Sequence, residues 1–482
     1  MFDVRPVGYV IGNLITALGV SMLVPMFMEL FSGTEHWKTF VESSLLTVMF
    51  GAVLSLSTVN GMGERLTIQQ TFVLTTGVWL ALPIFGALPF VLGAAEASYV
   101  DAFFEAMSGL TTTGSTVFSG LEELPKGILL WRGMMQWFGG VGIIVVAMVF
   151  LPELRIGGMQ IFRTEGFDTF GKILPRATQI SSRISMIYLF LTGICALVYS
   201  ALGMTTFDAV VHAMTTVATG GFANYDDSFG VFSSSITYAA VVFMIIASLP
   251  FVRYVQLVAG AFSPLSRDSQ VRAFLGTIVA IVGIVFLWQV RTLDFSFSDA
   301  LQSSVFNVTS ILTGTGYASA DYMLWGPVPV AVLFFAGLIG GCAGSTTCSI
   351  KIFRYQLLFA SIRAQVQKIH QPHGIFRPWY DGRPVAEDVL SSVMAFFVMF
   401  VVSLGVLAVL LGFTGLDFVT SLSGAATALG NIGPGLGDQI GPAGNFGGLN
   451  PTAKWLLAAG MLIGRLELLA VYAMLTVGFW RG

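Results

Sequence analysis

Four short stretches carry the residues with the most definite chemistry. They are Thr111-Thr112-Thr113-Gly114, Ala218-Thr219-Gly220-Gly221, Thr313-Gly314-Thr315-Gly316 and Asn431-Ile432-Gly433-Pro434-Gly435. They offer backbone carbonyls, a few hydroxyls and no charge. A cation stripped of water needs a ring of oxygens, and four such loops meeting on one axis would supply it. Glycine permits the backbone angles that turn carbonyls inward. With no acidic ring in the corners, a filter for divalent cations is disfavoured. Loops two, three and four each hold two candidate glycines: Gly220 or Gly221, Gly314 or Gly316, and Gly433 or Gly435. The bland alternative makes Gly and Thr helix-packing residues. That fits one corner alone, but not four placed in register.

Each corner closes a short apolar run, within 100–118, 207–222, 298–317 and 416–436. About 12 residues is too short to cross a bilayer, which needs roughly 20. Short apolar helices ending at membrane depth are tolerated where they line a cavity or a water-filled path. Their partially negative C-terminal ends would favour a cation at the corners. A capping box precedes each run: Ser98-x-x-Asp101, Thr205-x-x-Asp208, Ser296-x-x-Asp299 and Thr414-x-x-Asp417. Hydropathy adds ten spans: 7–27, 40–59, 70–92, 127–151, 184–202, 231–251, 274–290, 327–350, 388–413 and 454–479. The expected fold class is an all-α polytopic membrane protein, with an N-terminal helix pair at 1–66. Four pseudo-symmetric helix–pore loop–helix repeats follow around a central pore, at 67–182, 183–271, 272–386 and 387–482.

Composition agrees. Hydrophobic residues make up 55% of 482, charged residues only 10%, and mean hydropathy is +0.82. Soluble domains carry about 25% charged residues. The net charge of −3 points to no nucleic-acid partner. Cys195, Cys342 and Cys348 give neither a disulfide framework nor zinc spacing, and His370-x-x-His373 reads as solvated. No protease motif and no paired intramembrane carboxylates occur, so an enzyme and a proton-coupled carrier both lack residues to work with. The N-terminus reads as a retained first span. Lys and Arg concentrate on one side when both termini are cytoplasmic, as the positive-inside rule requires. The longest inner loops are 152–183, with Arg155, Arg163, Lys172 and Arg176, and 351–387.

Two further features bear on gating. The stretch AGLIGGCAGSTTCS at 336–349 fills the eighth span with glycine and small polar residues, including Gly340, Gly341, Gly344, Ser345 and Thr346. Such a stretch resists staying helical, so it is expected to unwind and plug the pore beneath the filter. Close helix packing is its alternative. It lacks the lysine of a phosphate-binding loop. Arg465 lies deep in the tenth span, where a charge is costly and faces a cavity or a partner. It would act as an electrostatic barrier to cations, or else pair with Glu467 or a backbone cluster.

These motifs resemble those of the Trk/Ktr/HKT potassium-transporter superfamily, TrkH-type membrane subunits most closely. The resemblance rests on TTTGST at 111–116, TVATGGF at 216–222, TGTGY at 313–317 and GNIGPG at 430–435. IGGCAGST at 339–346 followed by Lys351, and GRLE at 464–467, complete it. It implies potassium-selective uptake through carbonyls at Thr111–Gly114, Ala218–Gly221, Thr313–Gly316 and Asn431–Gly433. Gly340, Gly341, Gly344, Ser345, Thr346, Lys351 and Arg465 are implied to gate. K⁺ is then the transported ion, with no organic cofactor in this chain. The implied partners are a second copy in a homodimer, membrane lipid and a cytosolic TrkA-type nucleotide-binding regulatory subunit. The implied location is the bacterial inner membrane. Relatives that pass sodium often carry serine at the first filter glycine, so Gly114 points to potassium. Many relatives have glycine at the positions of Cys348 and Ser349, so this loop is expected to be stiffer. A symporter moving K⁺ with H⁺ or Na⁺ is the rival transport mechanism, and a non-conducting sensor or scaffold is the rival from another class.

Overall fold

A computed structural model describes residues 3–61, 66–146 and 177–481. The described chain is almost wholly helical. Its strands, Trp379–Tyr380 and Arg383–Pro384, form a hairpin. Asp381 and Gly382 turn it with φ of 49° and 77°, the left-handed pair that a two-residue hairpin turn requires.

Among the described residues, seven helices are long and apolar enough to cross a membrane: Arg5–Phe31, Trp37–Gly61, Ile68–Leu92, Lys126–Val145, Ser181–Ala201, Ser269–Thr292 and Glu387–Phe413. The first packs along the second and also touches the third. Backbone meets backbone there, since a Cβ on Gly12 would lie 2.6 Å from the Ser55 nitrogen. Large apolar side chains such as Leu197, Val279, Val401 and Phe413 stand exposed on these helices. A broad apolar exterior of that kind suits contact with lipid.

The other three expected spans are broken, which corrects the reading of 231–251 and 454–479 as continuous helices. In the sixth, Ser234–Ala247 bends by 89° into Phe251–Val258. Pro250 at the corner has no N–H to continue the ladder. The eighth stops at Gly337 and resumes as Ile352–His370, so the expected interruption is present. The tenth stops at Arg465 because Glu467 and Leu468 take φ of 60° and 48°, and helix resumes at Leu469. The inner stretch 351–387, read as a loop, is helical through His370. The loop 152–183 lies outside the described residues up to position 176.

Between the long helices sit four short ones: Tyr99–Leu110, Thr206–Val217, Phe297–Leu312 and Phe418–Gly430. They bury polar residues alongside apolar ones such as Phe104, Val217 and Leu312. Ser108, Thr215, Asn307, Ser310, Thr313 and Asn431 are wholly buried.

Candidate functional site

The short helices begin on the expected caps in three cases. Ser98, Thr205 and Ser296 each accept the backbone N–H of the acid three residues on, at 3.2 Å. Each hydroxyl also donates to that acid at 2.7 Å. The fourth box is a correction. Asp417 itself caps the helix, accepting from the N–H groups of Val419 at 2.8 Å and Thr420 at 3.1 Å. Thr414 instead ends the preceding helix, donating to the Leu411 carbonyl. Both residue types cap well, and the one nearer the helix wins. Hydrogen bonds from Thr420 hold the Asp417 carboxyl below its ordinary range.

Where these helices end, the backbone repeats one conformation four times. Thr112, Thr219, Gly314 and Asn431 have φ of 52°, 50°, 68° and 48°, and two residues on Gly114, Gly221, Gly316 and Gly433 have 86°, 79°, 82° and 116°. The ambiguous glycines thereby separate: Gly221, Gly316 and Gly433 are the counterparts of Gly114. Neighbouring loops touch in order. A Cβ on Gly114 would lie 2.2 Å from the Gly220 carbonyl oxygen, and one on Gly221 would lie 1.8 Å from that of Thr315. From Gly316 the distance is 2.1 Å to the Ile432 oxygen, and from Gly433 it is 3.0 Å to that of Thr113. The sequence one, two, three, four, one closes a ring. In every case the oxygen met belongs to the residue just before the next loop's glycine.

Side chains behind the ring set its shape. Gln136 donates to the Gly220 carbonyl at 2.5 Å and accepts from the Phe222 N–H at 3.0 Å. Asn431 donates to Thr113 Oγ1 at 3.0 Å and to the Met461 carbonyl at 2.9 Å. Ser115 donates to the Gly433 carbonyl at 2.7 Å. A buried ion pair joins Arg132 Nε to Glu105 at 2.8 Å. Glu105 also accepts from the Val117 N–H, and Arg132 donates to the Ala223 carbonyl. Past the four glycines the chain opens onto a cavity of about 150 Å³, lined by Gly114, Gly221, Gly316, Gly433, Ser115 and Asn445 among others.

The glycine-rich segment covers the opposite face of the ring. Gly340 donates its N–H to the Ile350 carbonyl at 2.8 Å, and the Gly341 carbonyl accepts from Ile352 at 3.1 Å. The Gly344 carbonyl accepts from the Phe251 N–H at 2.9 Å. Ser345 donates to the Cys342 carbonyl at 2.7 Å. Thr346 Oγ1 donates to the Ala247 carbonyl at 3.0 Å and accepts from Thr219 of the second loop at 3.2 Å. Cys348 Sγ lies 3.6 Å from Thr112 Oγ1 of the first loop. The Lys351 ammonium turns back onto Thr347. Arg465 donates to the Gly139 carbonyl at 3.0 Å and to the Cys348 sulfur, and its guanidinium lies 5.4 Å from the Trp79 ring. Asn431, Cys348, Lys351 and Arg465 share a cavity of about 30 Å³. Ser345, Thr346, Lys351 and Arg465 are thereby brought against Thr219 and Asn431 of the ring, while Gly340, Gly341 and Gly344 bond to Ile350, Ile352 and Phe251. Pairing of Arg465 with Glu467 does not occur: the left-handed turn at Glu467 sends its carboxylate to Arg354.

Glu105, Arg132, Gln136 and Lys454 were not singled out from the sequence. Charges inside apolar stretches were the available signal for three of them. Lys454 pairs with Asp101 and donates to the Gly447 carbonyl, tying the last repeat to the first pore helix. No His/Cys/Asp/Glu cluster fit to hold a metal ion occurs among the described residues.

The family model for the TrkH cation transport protein matches residues 36–477. The Trk system potassium uptake protein TrkI of Halomonas elongata is 41% identical over 478 residues, covering 99% of this chain and 97% of that protein. The Trk system potassium uptake protein TrkH of Salmonella typhimurium is 34% identical over 489 residues, covering 99% of both. Among solved structures, the crystal structure of the potassium transporter TrkH from Vibrio parahaemolyticus superposes with a TM-score of 0.92 at 33% identity, covering 100% of each chain.

Proposed function

The chain belongs to the TrkH cation transport family, whose members are multi-pass membrane transporters and not enzymes, and from that premise we propose that it takes up potassium through the four-loop ring. Dehydrated K⁺ is held by carbonyls of Thr111–Thr113, Ala218–Gly220, Thr313–Thr315 and Asn431–Ile432, with Gly114, Gly221, Gly316 and Gly433 allowing the loops to close on one another. The observation that carries this reading is the cyclic contact of each glycine with the carbonyl before the next. Such a ring exchanges hydration oxygens for backbone oxygens without a charged side chain. The short helices aim their partially negative ends at it.

The segment containing Gly340, Gly341, Gly344, Ser345 and Thr346 is the gate, held closed by its bonds to Ala247, Ser248, Thr219 and Arg465. Arg465 and Lys351 place positive charge where a cation leaving the ring must pass, so conduction needs the segment and Arg465 to move aside. The four repeats surround one pore in each chain. Two copies form a dimer in the bacterial inner membrane with both termini cytoplasmic. A cytosolic nucleotide-binding regulator moves the gate.

The test is cation flux into proteoliposomes holding the purified protein, comparing K⁺, Rb⁺, Na⁺ and Li⁺ with and without a pH gradient. Passive K⁺ and Rb⁺ flux that ignores the gradient is expected. Uphill uptake driven by a proton or sodium gradient would replace the channel reading with symport. Absence of flux even with the cytosolic regulator added would leave a sensor or scaffold.

A further inference from the structure

Tyr317 follows the third filter glycine, yet its side chain reaches into the second repeat. It is wholly buried. Its hydroxyl lies 2.5 Å from Thr215 Oγ1 and 3.1 Å from Thr216 Oγ1, and it also donates to the His212 carbonyl at 3.3 Å. Both threonines sit on the last turn of Thr206–Val217, the helix that ends in the second filter loop. The Tyr317 carbonyl is fixed by Ser310 Oγ at 2.7 Å, on the helix that ends in the third loop. Its ring rests against Phe229 at 4.2 Å between centroids. One side chain thus spans the seam between loops two and three, anchored at its backbone to one pore helix and at its tip to another.

We propose that Tyr317 is a positioning residue for ion selectivity, its hydroxyl holding loops two and three at the separation that suits potassium. This rests on the ring being the potassium filter. A carbonyl ring discriminates against the smaller sodium ion only if it resists contracting around it, so the tie between neighbouring loops matters as much as the carbonyls themselves. Two of the other seams have side-chain ties of their own: Gln136 holds loop two to the first repeat, while Asn431 and Ser115 join loops four and one. The phenol does the equivalent work at the second seam, beside a backbone bond from Phe229 N–H to the Ala318 carbonyl. Its hydroxyl meets Thr215, Thr216 and the His212 carbonyl, and the residue does not line the cavity past the four glycines. It acts through Gly316 and Thr315, whose carbonyl faces Gly221.

The experiment is the ratio of Na⁺ to K⁺ permeability in proteoliposomes for the wild type, Tyr317→Phe, Thr215→Val, their double variant and Tyr199→Phe. Tyr199 is the control because its hydroxyl bonds Thr216 at 2.9 Å in the same buried cluster but sits outside the filter loops. Tyr317→Phe keeps the ring packed on Phe229, so the fold is expected to survive. The ratio is expected to rise by up to about tenfold, the weight of one buried hydrogen bond. Thr215→Val is expected to raise it in the same direction. The double variant should be no worse than the stronger single one, since both remove the same bond. Tyr199→Phe should leave the ratio unchanged. An unchanged ratio in Tyr317→Phe, or an equal rise in Tyr199→Phe, overturns the proposal. A wild type without potassium preference would overturn the filter reading itself, before any variant is compared.

Discussion

Replacing each of Gly114, Gly221, Gly316 and Gly433 by alanine separates two reasons for glycine at these positions. One is the residue's own backbone: all four have φ between 79° and 116°, which costs an L-residue about 1–3 kcal/mol. The other is the neighbouring loop, and here the four differ. The added methyl meets a backbone carbonyl oxygen at 1.8 Å from Gly221, 2.1 Å from Gly316 and 2.2 Å from Gly114, but at 3.0 Å from Gly433. Backbone at under 2.5 Å must shift, and forced shifts in a packed interior cost about 1–3 kcal/mol more. The first three variants therefore carry both penalties and Gly433→Ala mainly the first. Expressed as flux, Gly433→Ala should retain about 5- to 150-fold more Rb⁺ uptake than Gly221→Ala. Uptake into proteoliposomes, normalised to monodisperse protein, reads this directly. If Gly433→Ala, with the largest φ, proves the most damaging of the four, conformational strain dominates. The reasoning from loop-to-loop contact would then be refuted.

Arg465→Ala is expected to raise K⁺ flux in the absence of any cytosolic partner, because the guanidinium leaves the path and the segment loses its bond at Cys348. Unchanged flux would remove Arg465 from the gate. Cys348→Gly cuts the contacts to both Thr112 and Arg465, so a smaller rise is expected that does not add to that of Arg465→Ala, measured in the same flux assay. Arg132→Met strands Glu105, which is wholly buried, and is expected to destabilise the protein by about 3–5 kcal/mol. Thermal unfolding in detergent should show this, with part of the loss recovered when Glu105→Gln is added.

The corners and three of the four caps were legible because each is written in a few adjacent residues. A hydroxyl three positions before an acid, then an apolar run, then glycine, needs no distant partner to be read. The fourth cap failed because Thr414 and Asp417 are both good caps, and local pattern alone does not rank them. Hydropathy placed ten spans but hid two of the three breaks. It averages over a window, whereas a break depends on single residues such as Pro250 or the left-handed pair Glu467 and Leu468. The ties made by Gln136 and Tyr317 depend on partners 84 and 102 residues away, and the equivalent glycines in loops two to four are told apart only by contacts with other loops. No spacing rule reaches them.

The breaks themselves have a common use. A helix end at membrane depth leaves carbonyls without intrahelical donors, which is tolerable only where protein supplies partners. At the sixth span the freed carbonyls of Ala247 and Ser248 accept from Thr346 and Cys342. At the eighth, the Gly337 carbonyl accepts from Ser349 Oγ at 2.8 Å. At the tenth, the helix ends on Arg465, which bonds Cys348. The repeat-one helix, Lys126–Val145, runs unbroken past the ring and contributes the Gly139 carbonyl to the same Arg465. Three broken helices and one continuous one thus converge on a single segment. The ring is built four times over, while the proposed gate draws on each repeat differently. If this segment is the gate we propose, opening must exchange these bonds together, because moving the segment alone would strand buried carbonyls on two helices and a buried guanidinium on a third.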